Sequence, residues 1–264
     1  MSSRRKGAGQ TALITGASGG IGLELARCFS RDGYDLVLVA RSVDALGEAA
    51  NDLSREFNIK AIPIACDLGR SGAVAQLIQD LEQRAIRIDV LVNNAGFGAA
   101  GAFDRSDVAA QLGMIDVNVR ALVELTHAVW PRIMRSRRGG VLNVASTAAF
   151  QPGPFLAVYC ASKAFVLSFT EALWEEARGS GVHVTCLCPG VTESGFHRRA
   201  GTDRLRLMRG GIMPATTVAE MGHRAFGANQ RVKVTGFGNA MLAYSAALSP
   251  HAIVLRIARR LMSP

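Results

Sequence analysis

The sequence predicts an α/β fold, a doubly wound parallel sheet with helices on both faces. Short β-branched runs alternate with segments of helical period along the chain, the pattern of parallel strands joined by crossover helices. The glycine-rich turn TGASGGIG follows the first apolar run and opens a helical segment. Hydrophobic residues make up 49% of the 264 residues, which suits a packed domain and not a disordered chain.

Strands are expected at Thr11–Thr15, Asp35–Ala40, Ala61–Ala65, Val90–Asn93, Val141–Ala145 and Val182–Leu187, with a short one near Val232–Thr235. Each is an apolar run too short for a helix and bounded by polar or turn-forming residues. Helices are expected near Ile21–Asp32, Val43–Phe57, Gly72–Ala85, Asp107–Met134 and Tyr159–Ala177. Residues after the sixth strand break the pattern. Positions 193–214 hold five arginines and several glycines with little period, so a substrate lid is expected at about 191–215. Thr217-Val218-Ala219-Glu220 reads as a capping box that starts another helix. A basic C-terminal helix is expected within 250–264, with Val254, Ile257 and Leu261 on one face and Arg256, Arg259 and Arg260 elsewhere. No repeat, low-complexity tract or linker appears, so residues 1–264 are expected to form one domain.

Composition narrows the function. The five cysteines, Cys28, Cys66, Cys160, Cys186 and Cys188, lack the paired spacing of a zinc site and read as buried free thiols of a reducing cytosol. His127, His183 and His223 have no acidic or cysteine partners at metal spacing, so no metal is expected. The start, MSSRRKGAGQ, has no apolar core before the first strand, so it is not expected to be a secretory signal. The longest uncharged run, Gly139 to Ser162, contains Pro152-Gly153-Pro154 and cannot cross a bilayer as a helix. A cytoplasmic protein is expected. The formal charge is +9, but no aromatic residues interleave with the basic clusters, which argues against nucleic-acid recognition. Attraction of an anionic ligand suits the charge better, and peripheral contact with anionic lipid is the less favoured alternative.

In the glycine-rich turn, Gly16, Gly20 and Gly22 have the spacing GxxxGxG rather than GxGxxG. Such glycines let the backbone turn tightly and approach a pyrophosphate at the positive N-terminus of the helix. The second strand ends in Ala40-Arg41-Ser42, with no acidic side chain to accept from the adenine ribose hydroxyls of NAD. Arg41 offers a planar fork of donors suited to a 2′-phosphate, so NADP(H) is expected over NAD(H). Asp35 opens that strand and is expected to lie too far away to matter.

Tyr159 and Lys163 are four residues apart and share a face if the segment is helical. A phenol titrating at about 10 is a poor acid–base partner at neutral pH, and a cation some 4 Å away at an effective dielectric of about 20 favours phenolate by about 4 kcal/mol. Desolvation of both groups opposes part of that gain.

Over about residues 10 to 240 the chain resembles the short-chain dehydrogenase/reductase family in its single-domain, Rossmann-like form. The resemblance rests on TGASGGIG (15–22), DL (67–68), NNAG (93–96), Asn118 in DVNV, Ser146 in VASTAA, YCASK (159–163) and PGVT (189–192), in this order and spacing. It implies an oxidoreductase that interconverts a ketone or aldehyde and an alcohol. Tyr159 is then the general acid or base, Lys163 lowers its pKa and holds the nicotinamide ribose, Ser146 bonds the substrate oxygen, and Asn118 holds a water of a proton relay. Cofactor contacts are implied for Gly16, Ser18, Gly20, Ile21 and Gly22 and for Arg41 and Ser42. They are also implied for Asp67 and Leu68, for Asn94, Ala95 and Gly96, and for Pro189, Gly190, Val191 and Thr192. Gly19 occupies a place where many NADP-using relatives carry a basic residue, which leaves more of the phosphate recognition to Arg41.

Phe97, Phe103, Phe150, Phe155 and Leu156 follow strand ends, so a moderately hydrophobic substrate is expected, such as a 3-oxoacyl thioester or a bulky ketone. The helix after YCASK carries Phe165, Val166, Leu167, Phe169, Leu173 and Trp174 around most of its circumference, which points to a homodimer or homotetramer. Two other readings compete. A sugar-nucleotide epimerase would need a larger substrate domain, and a non-catalytic NADP-binding sensor would not need Asn118, Ser146, Tyr159 and Lys163 together.

Overall fold

A computed structural model describes residues 5–193, 200–201 and 211–262. Seven parallel strands form one sheet: β1 (Thr11–Thr15), β2 (Asp35–Ala40), β3 (Ala61–Ala65), β4 (Val90–Asn93), β5 (Gly140–Val144), β6 (His183–Cys188) and β7 (Val232–Val234). Their order is β3-β2-β1-β4-β5-β6-β7, so the chain reverses direction across the sheet between β1 and β4. In open α/β sheets that reversal leaves a crevice beyond the strand carboxyl ends, where ligands bind.

The strands are apolar on both faces because both faces are covered. Ile14, Leu36 and Leu38 pack with Leu25 and Phe29 of α1 (Gly20–Arg31) and Leu46 and Leu53 of α2 (Val43–Phe57). Their neighbours Leu13, Val37 and Val39 point to the other layer, formed by Leu77 and Leu81 of α3 (Ala73–Gln83) and residues of two later helices. Alternation along each strand thus feeds two separate cores. Four of the five cysteines are buried free thiols and Cys66 is half-buried.

The expected helix over 107–134 is not one α-helix. The Asp107 carboxylate caps α4 (Val108–Ile115) by accepting from the Ala109 N–H at 3.0 Å. A five-residue π-helical turn, Asp116–Arg120, then leads into α5 (Ala121–Ser136). α6 (Ala157–Glu176) carries the tyrosine and lysine.

Three further expectations change. Helix α7 (Ala215–Gly227) has Pro214 as its N-cap, so Thr217 and Glu220 lie within it and form no capping box. The helix therefore begins three residues earlier than the Thr217 hydroxyl suggested, directly after a proline whose ring fixes φ. A helix absent from the sequence reading, α8 (Phe237–Leu248), follows β7. Among the described side chains of α9 (His251–Met262), Val254, Ala258 and Met262 are buried and Ile257 is 55% exposed, while that of Leu261 lies outside the described ones. Most of the expected lid lies outside the described residues. Its ends pair, with Glu193 N–H donating to the Met213 carbonyl at 2.9 Å and Met213 N–H to Val191 at 3.0 Å.

Candidate active site

The site begins where β1 stops. The Thr15 hydroxyl accepts from the Asn94 and Ala95 N–H groups at 3.0 and 2.9 Å, and the Asn94 side-chain amide donates to the carbonyls of Thr15 and Gly16 at 2.9 and 3.2 Å. The glycine turn is thereby tied to the end of β4. Gly16 sits at φ +66°, and a Cβ there would stand 2.8 Å from the Asn94 amide nitrogen. α1 starts at Gly20, and its N-cap, Gly19, supplies no side-chain cap. The first-turn N–H groups and the positive end of the helix therefore border the crevice. Arg41 and Ser42 stand exposed at the end of β2, while Asp35 accepts from the Lys60 N–H at the strand's other end.

The π-helical turn buries Asn118, which is 1% exposed. Its amide donates to the Phe97 carbonyl and the Ser162 hydroxyl, both at 3.0 Å, and its oxygen accepts from the Phe97 N–H at 3.1 Å. An extra residue in a helical turn is a common device for re-aiming a functional side chain. Gly96 lies against this group, since a Cβ there would be 3.0 Å from the Asn118 oxygen and 3.3 Å from Lys163 Nζ.

Ser146 lies two residues beyond β5 in extended conformation, and its hydroxyl accepts from the Ala148 N–H at 3.1 Å. It also hydrogen-bonds the Tyr159 hydroxyl. Lys163 is 5% exposed, donates to the Val144 carbonyl at 2.9 Å, and lies 5.9 Å from the Tyr159 ring centroid. Serine, tyrosine and lysine thus converge from β5 and the first turns of α6.

The electrostatics correct the simple expectation that the ammonium acidifies the phenol. Burial pushes Tyr159 up to about 12, against the lowering effect of the Ser146 bond. Burial pushes Lys163 down to about 8, opposed by the nearby Cys186 and Cys188. The lysine therefore loses its charge before the tyrosine titrates, so in the protein alone it does not bring the phenol's titration toward neutral pH. At neutral pH the pair is a neutral phenol beside an ammonium ion.

These groups share a cleft of about 1060 Å³ at the carboxyl ends of the strands. Of the residues expected at the site, only Gly22, behind Gly16, and Asn118, behind Gly96, do not line it. Pro189, Gly190, Val191 and Thr192 form its floor beyond β6, where the Thr192 hydroxyl donates to the Gly190 carbonyl at 3.0 Å. The apolar wall differs from expectation. Phe97 and Leu156 line it, but Phe103 is 70% exposed and Phe150 packs on Tyr244 outside it; Phe155 does not line it either. Leu242 and Ala243 of α8 and Met262 of α9 complete the wall. Met262 packs with Leu156, Cys160 and Tyr159.

Sequence reasoning also missed the support behind the site. Asn93 donates to Thr126 at 3.0 Å and Asn143 at 2.9 Å, and Asn143 donates to Thr170 at 2.9 Å. This buried line fixes α5 and α6 to β4 and β5. An asparagine inside each of two apolar strands was the available signal.

Fold and cleft define a doubly wound α/β protein with its functional groups at the topological switch point. A family model described as short chain dehydrogenase matches residues 10–205. The chain is 35% identical over 189 residues to the ketoacyl reductase HetN of Nostoc sp., covering 71% of this chain and 66% of that protein, just under two thirds of its length. It is 38% identical over 186 residues to sulfoacetaldehyde reductase 2 of Chromohalobacter salexigens, covering 70% and 73%. Among solved structures it is similar to a short-chain dehydrogenase from Sphingobium yanoikuyae in complex with NADPH, with a TM-score of 0.81, 32% identity and coverage of 90% and 93%. The chain belongs to the short-chain dehydrogenase family, and is an oxidoreductase of that family.

Proposed function

We propose that the protein is an NADP(H)-dependent oxidoreductase that interconverts a ketone or aldehyde and an alcohol, with Tyr159 as general acid or base. The observation that carries this reading is the convergence of Ser146, Tyr159 and Lys163 on the cleft that the glycine turn opens. The similar ketoacyl and sulfoacetaldehyde reductases, by their names, both act on carbonyl groups.

The residues present suit a dinucleotide. Gly16 and Gly96 leave space that any side chain would fill, and uncapped N–H groups start α1. Gly16, Ser18, Gly20 and Ile21 would hold the pyrophosphate, Arg41 and Ser42 the 2′-phosphate, Asp67 and Leu68 the adenine, and Asn94, Ala95 and Gly96 the adenine ribose. Lys163 would hold the nicotinamide ribose, and Pro189 to Thr192 the carboxamide. When bound, the nicotinamide supplies or accepts the hydride.

The chain's own groups manage the oxygen and the proton. The Ser146 hydroxyl donates to the carbonyl oxygen as negative charge grows there. Tyr159, kept protonated by burial, releases its proton to the same oxygen. The phenolate left behind is stabilised by the charge of Lys163 and then takes a proton from that ammonium group. Asn118 holds the Phe97 backbone and Ser162 in place beneath this group, and a water on Asn118 would return a proton to Lys163. The apolar wall of Phe97, Leu156, Leu242, Ala243 and Met262 favours a moderately hydrophobic substrate, such as a bulky ketone or 3-oxoacyl thioester.

The test is purified protein with NADPH, and separately NADH, against short aldehydes, bulky ketones and a 3-oxoacyl thioester, read by loss of cofactor absorbance. Oxidation of NADPH by at least one carbonyl is expected. Tight NADPH binding without turnover on any of them would favour the sensor reading instead. Arg41→Ala is expected to raise the KM for NADPH by about 10–100-fold, the worth of one or two charge-assisted hydrogen bonds, and to leave the KM for NADH nearly unchanged. Equal effects on both cofactors would remove Arg41 from phosphate recognition.

A second copy of the chain is proposed to cover the face of α4 and α6. Val108, Leu112, Ile115 and Phe165 are 68%, 56%, 43% and 40% exposed there. Sedimentation at micromolar concentration should give a dimer or tetramer, and a 28.0 kDa species would exclude it.

A further inference from the structure

Helices α8 and α9 expose a surface that the proposed reaction does not use. Phe237, Met241, Tyr244 and Leu248 of α8 follow the spacing i, i+4, i+7, i+11, so they form one stripe along the helix. They are 82%, 60%, 49% and 88% exposed, while Ala243 on the opposite side is 5% exposed. A helix with an apolar stripe turned to water needs a partner for it. Ser249-Pro250 then leads directly into α9, where Ile253 and Ile257 are 52% and 55% exposed beside exposed Arg256, Arg259 and Arg260.

Charge selects the partner. Residues 221–264 contain no Asp or Glu, so α8 and α9 carry no negative charge of their own. A second copy meeting this face with its own would bring arginine toward arginine across an apolar contact. An anionic bilayer offers the reverse, an apolar layer for the stripe beneath a sheet of negative headgroups for the guanidinium groups. We propose that the apolar stripe of α8 and the arginines of α9 dock the protein on the surface of an anionic membrane. The contact is peripheral, because no described helix is long and apolar enough to cross a bilayer.

Docking has a consequence for the cleft. Leu242 is 71% exposed and also lines it, so the cleft's mouth would stand beside the lipid. Delivery of a lipid-borne carbonyl compound by this route rests on the proposed function; the docking itself does not.

The test is co-sedimentation of the full chain with vesicles of phosphatidylcholine alone and of phosphatidylcholine mixed with phosphatidylserine. The chain should pellet with the mixed vesicles, stay in solution with phosphatidylcholine alone, and be released by salt. Arg256→Gln with Arg259→Gln should weaken partitioning by about thirtyfold, since each arginine near an anionic surface contributes about fivefold. Met241→Ser with Leu248→Ser should also weaken it, and both double variants should bind NADPH as the parent does. No pelleting, equal pelleting on both vesicles, or variants that pellet like the parent would overturn the inference. So would a Met241→Ser/Leu248→Ser chain that sediments as a smaller oligomer than the parent, because the stripe would then be a subunit contact.

Discussion

Tyr159→Phe should lower kcat/KM for carbonyl reduction by about 10²–10⁴-fold, the usual worth of a positioned general acid, and leave NADPH affinity nearly intact. The substitution removes one oxygen from a ring that packs with Leu156, Cys160 and Met262, so the apolar cluster survives. What disappears is the proton donor that burial keeps in its neutral, protonated form up to about pH 12. The Ser146 hydroxyl, Lys163 and the glycine turn stay in place, and binding of cofactor should persist. Steady-state rates from NADPH absorbance and affinity from NADPH fluorescence separate the two effects. A variant as active as the parent would remove Tyr159 from the chemistry.

Lys163→Met should abolish most turnover and make the fold more stable. Burial holds the folded pKa of Lys163 near 8, against 10.5 for the free side chain. Keeping the ammonium buried at neutral pH therefore costs about 3 kcal/mol. Losing its bond to the Val144 carbonyl takes back about 1–2 kcal/mol, so the net gain is about 1–2 kcal/mol, or about 2–6 °C in Tm. The sign can be checked with pH. Between pH 8 and 10.5 the unfolded chain keeps the lysine proton that the folded chain has lost, so this residue's contribution to stability rises with pH across that window. The stability difference between variant and parent should shrink over the same window. A variant less stable than the parent at pH 7, with no change in pH profile, would mean that the ammonium is not buried at a cost. A strained charge retained in the cleft is the expected trade between stability and activity.

Much of this was legible in the chain. β1 to β4 coincide with their sequence-based limits because each is a short apolar run that stops at a polar or turn-forming stretch: Gly16 after β1, Arg41-Ser42 after β2, Cys66-Asp67 after β3 and Asn93 at the end of β4. The cleft-lining groups were legible for a related reason. A glycine that must turn tightly, or a tyrosine four residues before a lysine, leaves a local mark.

What escaped depends on contacts far apart in sequence. α8 shows no polar face because its outward side is itself apolar, so periodicity had nothing to separate. The π-helical turn at Asn118 is set by its bonds to Phe97 and Ser162, which no local spacing reveals. The substrate wall from Leu242 and Met262 depends on two helices folding back over α6, beyond the segment that the family pattern covers. The tyrosine–lysine pairing was legible, but its electrostatic balance was not. Burial depends on the assembled fold, and it reversed the direction expected from the cation alone.

The chain has three tyrosines, Tyr34, Tyr159 and Tyr244, so each can be resolved by NMR of protein with labelled tyrosine rings. The titration of Tyr159 should be followed in the chain alone and with NADP⁺ bound. Protein groups should hold its pKa at about 12 in the first case. With the oxidised nicotinamide's positive charge nearby, it should fall by several units toward neutrality, and Lys163→Met should remove part of that fall. A Tyr159 that titrates at the same pH in all three samples would contradict the assignment of the proton to this residue.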